Sequence, residues 1–543
     1  VLETLRPDTD DPRTAAPHSA APRAPAGSPL ERERLRASRE IASHYDRHAA
    51  RGDRRRAGNR YYHEAVASLL REVVPEGKSV LELGCGAGDL LAALKPREGV
   101  GVDLSPRMIE RARDRHPRLS FVEADAERLP LARPFDYVVM ADLVGHLTDV
   151  WQTLRDLRRV CAPDTRVVVT SHNFLWQPAL ALAERLGLKS PRPPQNWLGV
   201  ADLENLFRLA DFEIEQSFTR LLVPARVPLV GERLNRLPQR SRLLSHLGLV
   251  NLFVLRPAAA REEPPATPHF VSVVVPCRNE AGNVASCVAR VPAMGARTEI
   301  VFVDGDSTDG TVEEIEREME RWRGVKEIRL VHQVPRGAAG QDGGAAGRGR
   351  GRAANLMLKL GKGDAVRKGF AAAAGDVLMI LDADLTVPPE DLPKFYEAVA
   401  RGRGELINGT RLVYPLADQS MKALNFLGNK FFSRLFTWLL GQRIKDTLCG
   451  TKVLGRADYE RIAAARSHFG DFDPFGDFDL LFGAARLKLR ITEMPVRYRR
   501  RTAGESKVRV LRHGWLLARM CLVGFWRLKA QPRLARPRGG ARG

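Results

Sequence analysis

Two aspartates follow an unusually apolar run. In VLMILDADLTVPPEDL, Asp382 and Asp384 come directly after Val377–Leu381. A buried strand that ends in two carboxylates concentrates negative charge where little compensates it, and a divalent cation relieves that charge. Oxygen ligands of this kind favour magnesium or manganese. A bare DxD is a weak pattern, but three other polar turns precede this one in order. VSVVVPCRNE stops at Pro276 and opens into Asn279 and Glu280. EIVFVDGDSTDGT gathers Asp304, Asp306 and Asp309, and GKGDAVRKGF starts a helix with Lys362, Asp364 and Arg367.

A second constellation lies upstream. VLELGCGAGDLL is a strand that runs through Glu82 into Gly84, Gly86 and Gly88 and then into a helix. Glycines there let the backbone turn sharply and approach a ligand. Asp103 ends the next strand, where a carboxylate can accept from both hydroxyls of a ribose. The strand after it ends in VEADAERLP, placing Asp125 and Ala126 where an adenine edge would lie. The spacing is GxGxG rather than the dinucleotide GxGxxG.

The elements that must hold these residues alternate short β-branched runs with amphipathic helices. Ser79–Leu83, Gly99–Val102, Leu119–Val122, Tyr137–Met140 and Arg166–Thr170 read as strands in the first half. Val271–Pro276, Glu299–Asp304, Val377–Asp382 and Glu405–Asn408 do so in the second. Such alternation predicts an α/β fold in two domains, each with a parallel sheet. A chain of 543 residues is also too long for one ordinary core.

The first set resembles the class I S-adenosylmethionine-dependent methyltransferases, with their Rossmann-like fold, from about Tyr61 to Leu255. The resemblance implies that Glu82, Gly84, Gly86 and Gly88 surround the methionine part of S-adenosylmethionine. It places Asp103 on the ribose and Asp125 with Ala126 on the adenine. The methyl acceptor is not named. Met140-Ala141-Asp142-Leu143 lacks the Asn/Asp-Pro-Pro-aromatic element of amino-methylating DNA enzymes. His146 and His172 are candidate bases or structural histidines, and Trp176 and Trp197 line an acceptor cover or simply pack.

The second set resembles glycosyltransferase family 2, the GT-A nucleotide-sugar-binding fold, from about His269 to Lys529. Within that family it looks most like the polyprenyl-phosphate glycosyltransferases related to dolichyl-phosphate mannose synthase. The resemblance implies a nucleotide-sugar donor whose diphosphate is bridged by a metal on Asp382 and Asp384. Pro276, Asn279, Glu280, Asp304, Asp306, Lys362, Asp364 and Arg367 would face the donor, with Arg411 towards its phosphates. KDTLCGTKVL, with Asp446 and Gly450, matches the acceptor-side segment, and Arg501, Ser506 and Lys507 match a phosphate-gripping loop. Asp304-Gly305-Asp306 departs from the usual Asp-Asp-Gly/Ser run, which leaves open which carboxylate meets the base. A lipid phosphate acceptor is already anionic and leaves catalysis to the metal, Arg411 and Arg501. A hydroxyl acceptor needs a base, and Asp477 or Asp479 in FGDFDLLFGA is the candidate, unless the two form a helix-terminal charge pair.

The segments between the motifs suggest boundaries. Residues 1–50, rich in Pro, Ala and Arg, read as a disordered leader. Residues 51–255 form the methyltransferase domain, 256–268 a linker and 269–510 the glycosyltransferase domain. Residues 511–543 form an amphipathic basic tail, and Gly337–Arg352 reads as a basic loop insertion. From Arg497 to Gly543 there are 14 Lys or Arg against one acid, Glu505, a large share of the net +21. That balance suits an anionic surface. Met421–Leu440 and His513–Lys529 are apolar but broken by cations, which fits helices lying in a membrane interface, packing on the domain, or a dimer seam. Nucleic acid is not expected, because the basic ends lack interleaved aromatics or a recognition helix. Six scattered cysteines without a CxxC, no secretion-signal pattern and no clean spanning segment suggest a cytoplasmic protein, peripheral on the inner membrane face. The alternatives are a glycosyltransferase whose S-adenosylmethionine-binding domain is a non-catalytic scaffold, and a basic nucleic-acid-associated protein.

Overall fold

The computed structural model describes residues 29–50, 60–186, 196, 198–224, 235, 246–259, 269–333, 361–411, 423–466, 476, 478–497, 499, 501 and 510–530. The chain divides into two compact units after Glu262.

The first unit is a seven-stranded sheet in the order β3-β2-β1-β4-β5-β7-β6. The strands are β1 (Ser79–Leu83), β2 (Glu98–Asp103), β3 (Ser120–Glu123), β4 (Phe135–Ala141), β5 (Cys161–His172), β6 (Phe212–Arg220) and β7 (Val250–Pro257). All five residues of β1 are buried, as expected where helices cover both faces. Chain order runs outward from β1 through β2 to β3 and then crosses to β4. A crevice therefore opens at the carboxyl ends of β1 and β4. The helix Pro106–Arg115 starts where Ser105 accepts from the Met108 amide and Pro106 fills the first position.

The second unit also holds seven strands, in the order β10-β9-β8-β11-β13-β12-β14. They are β8 (Phe270–Cys277), β9 (Arg297–Asp304), β10 (Glu327–His332), β11 (Val377–Ile380), β12 (Leu406–Thr410), β13 (Lys452–Gly455) and β14 (Ile491–Pro495). Its crevice lies between β8 and β11. The helix Lys362–Ala372 can lie close on this sheet because Gly369 faces Val274; a Cβ there would run into that side chain. The core joins Val274, Leu378, Phe436, Phe478 and Phe482.

Four expectations change. Neither sheet is purely parallel: β7 runs antiparallel to both β5 and β6, and β13 antiparallel to both β11 and β12. Such neighbours need no crossover helix, so the alternation of strands and helices does not announce them. The disordered leader ends early, because Pro29–Ala50 is a helix. Polar groups help to dock it, with the Ser105 hydroxyl donating to Asp46 at 2.6 Å and Arg111 to the Ala49 carbonyl at 3.2 Å. Docking of that kind leaves no apolar periodicity to read. The linker starts two residues late: Arg256 and Pro257 end β7, and Arg256 donates to Glu213 at 2.9 Å and 2.6 Å. Finally, the tail begins as the helix Val510–Gly524, which buries Leu517, Met520 and Cys521 in the second core. Its other side stays apolar and exposed at Trp515 and Leu522, with Phe525 and Trp526 just beyond.

Candidate functional site

In the first unit the glycine turn sits at the crevice. Gly84, Gly86 and Gly88 have φ of 73°, 53° and 76°, the left-handed region that L side chains rarely adopt. Gly86 donates its amide to Asp103 Oδ2 at 2.9 Å, and Ser105 donates to Oδ1 at 2.9 Å. Burial nevertheless raises the Asp103 pKa against those hydrogen bonds. Glu82 is fully buried; desolvation pushes its carboxyl well above the usual range, and its Oε2 has no hydrogen-bond partner. An ammonium of the kind methionine carries would answer that orphaned oxygen. Nothing stands within 4 Å of where a Gly86 Cβ would be, so the turn leaves room for a ligand. The chain's residues thus fit the cofactor that the motif suggests.

Asp125 begins the short turn Ala126–Arg128 and accepts from the Glu127 amide at 2.9 Å. The helix Pro29–Ala50 reaches this corner, where Ser38 donates to Asp125 Oδ2 at 3.1 Å. Arg34 lies 3.2 Å from Glu127 and 3.8 Å from Asp125. Tyr45, further along the same helix, meets His146 Nε2 at 3.3 Å. His172 lies at the end of β5, beside Tyr62 and Asp142. Trp176 donates to the Leu247 carbonyl at 2.8 Å, a packing role, and Trp197 lies outside the described residues. Sequence reasoning missed Ser38, Arg34, Tyr45 and Tyr62. Asp142 carried a usable signal, because it ends an apolar strand as Asp382 does.

In the second unit the four motifs converge. Pro276 is near the end of β8, and Asn279 (φ 54°) ties two turns together: its amide donates to Ser307 and its side chain accepts from the Thr308 amide. The Glu280 amide donates to Thr311, and its carboxylate accepts from Asn283. Asp304 is buried at the end of β9, accepts from the Ser307 amide at 3.2 Å and lies 3.7 Å from His332. Asp306 sits in the turn at φ 64°. Asp364 accepts from Gln333 at 3.0 Å and pairs with Lys368 at 2.9 Å.

The DxD carboxylates both meet cations of the chain itself. Lys362 Nζ lies 2.5 Å from Asp382, and Arg501 lies 2.8 Å from Asp384. Burial would raise the Asp382 pKa; Lys362, with Lys452 and Arg411, outweighs it and holds the carboxyl below its usual range. Gly450 packs so tightly over this pair that a Cβ would fall on Asp382 and Lys362. Among the described residues no group of three or more His, Cys, Asp or Glu could hold a metal by itself. Two carboxylates are nonetheless what magnesium commonly takes from a protein when diphosphate oxygens and water complete its shell.

Two expected site residues are held in ion pairs. Arg411 grips Asp446 with Nε at 2.7 Å and Nη2 at 2.9 Å, and its amide donates to the same carboxylate at 3.0 Å. Asp479 pairs with Arg466 at 2.7 Å and Arg367 at 3.7 Å, the charge pair that competed with a base role. Asp477, Ser506 and Lys507 lie outside the described residues, as does the insertion Gly337–Arg352.

Comparison with known proteins agrees with this division. Residues 54–217 match the family described as a methyltransferase domain. Residues 272–349 and 356–461 match glycosyl transferase family 2. The chain joins a methyltransferase domain to a family 2 glycosyltransferase domain. A "Glycosyltransferase AglD" of Haloferax volcanii is 28% identical over 52% of this chain and 40% of its own. A "Dolichol-phosphate mannosyltransferase" of Pyrococcus furiosus is 33% identical over 26% of this chain and 33% of its own. A "2-phytyl-1,4-naphtoquinone methyltransferase" of Nostoc punctiforme is 31% identical over 23% of this chain and 60% of its own. The chain therefore spans less than two thirds of each of these three relatives.

Proposed function

We propose that this is a bifunctional transferase. Its first domain moves a methyl group from S-adenosylmethionine, and its second moves a sugar, with inversion, from a nucleotide-sugar to a polyprenyl phosphate. The observation that carries the second half is the pair Asp384–Arg501, in which a donor-side carboxylate and an acceptor-side guanidinium meet at 2.8 Å. Sugar transfer to a phosphate needs donor and acceptor groups in one crevice, and the C-terminal segment delivers Arg501 to the end of β11.

Asp382 and Asp384 would hold a magnesium or manganese ion, which supplies charge stabilisation for the departing diphosphate. Lys362 adds a fixed cation beside Asp382, and the buried Lys452, donating to the Cys449 carbonyl at 2.6 Å, adds a second beneath it. Arg501 orients the acceptor phosphate. An anionic acceptor oxygen needs no base, which agrees with Asp479 being committed to two arginines. Asp304, which ends β9, and Asp306, in the turn after it, face the donor's nucleoside.

A lipid acceptor must be met at a surface. The helices Ala423–Leu440 and Val510–Gly524 pack together, and Trp438 stacks on Phe525 at 5.9 Å. Lys529 lies over the Trp438 ring at 5.7 Å. Phe431, Trp438, Trp515, Leu522, Phe525 and Trp526 are exposed. Aromatics with flanking cations suit the headgroup level of an anionic bilayer. No helix among the described residues is long and apolar enough to cross a membrane. The contact proposed is peripheral, at the cytosolic face, and the exposed aromatics with their flanking cations support it. The test incubates the full chain with membrane lipid extract, labelled nucleotide-sugars and S-adenosylmethionine, and identifies products by mass spectrometry. Asp384→Ala should abolish sugar transfer and leave S-adenosylmethionine affinity unchanged; loss of both would overturn the two-site reading.

A further inference from the structure

The first unit holds a buried polar cluster that cofactor binding does not require. At the end of β4 the chain turns through Asp142, a non-glycine residue at φ 54°. The Asp142 amide donates to the Thr170 carbonyl and hydroxyl, and the Thr170 hydroxyl donates back to Oδ1 at 3.2 Å. Tyr62, from the helix Arg60–Arg71, donates its hydroxyl to Asp142 Oδ2 at 2.5 Å. The same hydroxyl lies 3.2 Å from His172 Nε2, and the two rings stack at 5.6 Å with 14° between their planes. His172 Nε2 is 3.9 Å from the carboxylate. Three elements distant in sequence thus place a carboxylate, a phenol and an imidazole in mutual contact.

Position separates this cluster from an ordinary buried network. Asp142, Ser171, His172 and Asn196 line a small cavity at the carboxyl ends of β4 and β5. The next residue, Leu143, packs against Gly84 of the glycine turn, 3.0 Å from where its Cβ would stand. The imidazole and carboxylate therefore border the cavity, and the residue after the carboxylate reaches the glycine turn at the crevice between β1 and β4. A left-handed backbone at a residue other than glycine is costly and is retained where the surroundings require that placement.

We propose that His172, held by Tyr62 and Asp142, is the proton acceptor for methyl transfer to a hydroxyl group presented at the mouth of this cavity. The proposal rests on reading the first domain as an S-adenosylmethionine-dependent methyltransferase. The hydroxyl oxygen forms a bond to the methyl carbon as the carbon–sulfur bond breaks, and that electron pair stays on sulfur in S-adenosylhomocysteine. The hydroxyl proton passes to the imidazole, and the Asp142 carboxylate stabilises the imidazolium. A neutral alcohol or phenol is a poor nucleophile without such a partner, whereas a thiol ionises near neutrality and gains little. Tyr62 and Asp142 act through His172 and are positioning residues.

The experiment uses the full chain with methyl-labelled S-adenosylmethionine and three small probes: catechol, benzylamine and thiophenol. Catechol should be methylated fastest. His172→Ala and His172→Gln, the second retaining hydrogen bonding without basicity, should each lower kcat for catechol by about 100-fold or more. Cofactor affinity, measured by calorimetry, should stay unchanged in both. Tyr62→Phe should lower kcat about tenfold with little change in KM for catechol, a split that a purely structural role would not give. Three results would overturn the proposal: faster transfer to the amine or thiol, full catechol activity in His172→Gln, or no transfer to catechol by wild type that binds cofactor. Failure of the wild type to bind S-adenosylmethionine at all would instead overturn the underlying reading of the domain.

Discussion

Arg411 offers a decisive perturbation, because its sequence-based role and its structural surroundings predict different outcomes. As a donor-phosphate ligand, it would cost sugar transfer alone when removed. In the structure it is the main counter-charge of Asp446, whose side chain is 4% exposed. Asp446 accepts two guanidinium bonds and the Arg411 and Leu448 amides. Truncation to alanine leaves a buried carboxylate held by amides alone. Breaking one side of a buried ion pair costs about 3–5 kcal/mol. Arg411→Ala should therefore destabilise the second unit by roughly that amount in chemical denaturation of the full chain. Hydrogen exchange of β12 and β13 peptides would assign the transition. The pH dependence gives the sign. Burial raises the Asp446 pKa, but Arg411 outweighs it and holds the carboxyl below its ordinary range. The pair's contribution is present above the unfolded pKa of Asp446 and is lost as pH falls through the depressed folded value. The gap between wild type and variant should accordingly narrow on acidification. Arg411→Met with Asp446→Leu should recover much of the loss, since an apolar pair leaves no stranded charge. Wild-type stability with abolished transfer in Arg411→Ala would refute the reasoning and return Arg411 to the donor.

Three further outcomes follow from the same structure. Binding of S-adenosylmethionine should release protons, because Glu82 is held above its usual pKa by burial and would ionise against an ammonium; calorimetry in buffers of different ionisation enthalpy reads this, and Glu82→Gln should remove it. Arg501→Ala should free Asp384 and tighten Mn2+ binding to donor-free protein several-fold by calorimetry, and unchanged affinity would mean that arginine and metal do not share that carboxylate. Deleting residues 1–50 removes Ser38, Arg34 and Asp46 from the cofactor corner and should weaken S-adenosylmethionine binding by about 1–3 kcal/mol, with equal affinity counting against a covering role.

What the sequence made legible was local. The turn of Gly84, Gly86 and Gly88 and the carboxylates Asp382 and Asp384 each follow a short apolar run, so type and spacing place them at strand ends. β6, β7, β10, β13 and β14 were not read. β6 exposes alternate polar residues such as Glu213 and Glu215, and β13 is only four residues long. Partner choice was less visible still. Nothing near Arg411 announces Asp446, because β13 and the segment before it bring the two together across the fold. Tyr62 sits in an amphipathic helix, where its ring satisfies the apolar stripe while its hydroxyl reaches Asp142, and periodicity records only the ring.

The place of β7 bears on how the chain is made. It is the last strand of its sheet to be synthesised, yet it lies inside the sheet and pairs with β5 on one side and β6 on the other. Until residue 257 emerges, β5 presents a long unpaired edge and β6 has no neighbour, a template for association between nascent chains. A fragment cut at residue 217, where the family match ends, would keep that open edge permanently. The first domain therefore becomes self-contained only when its final strand slides between two already made, shortly before β8 begins the next sheet.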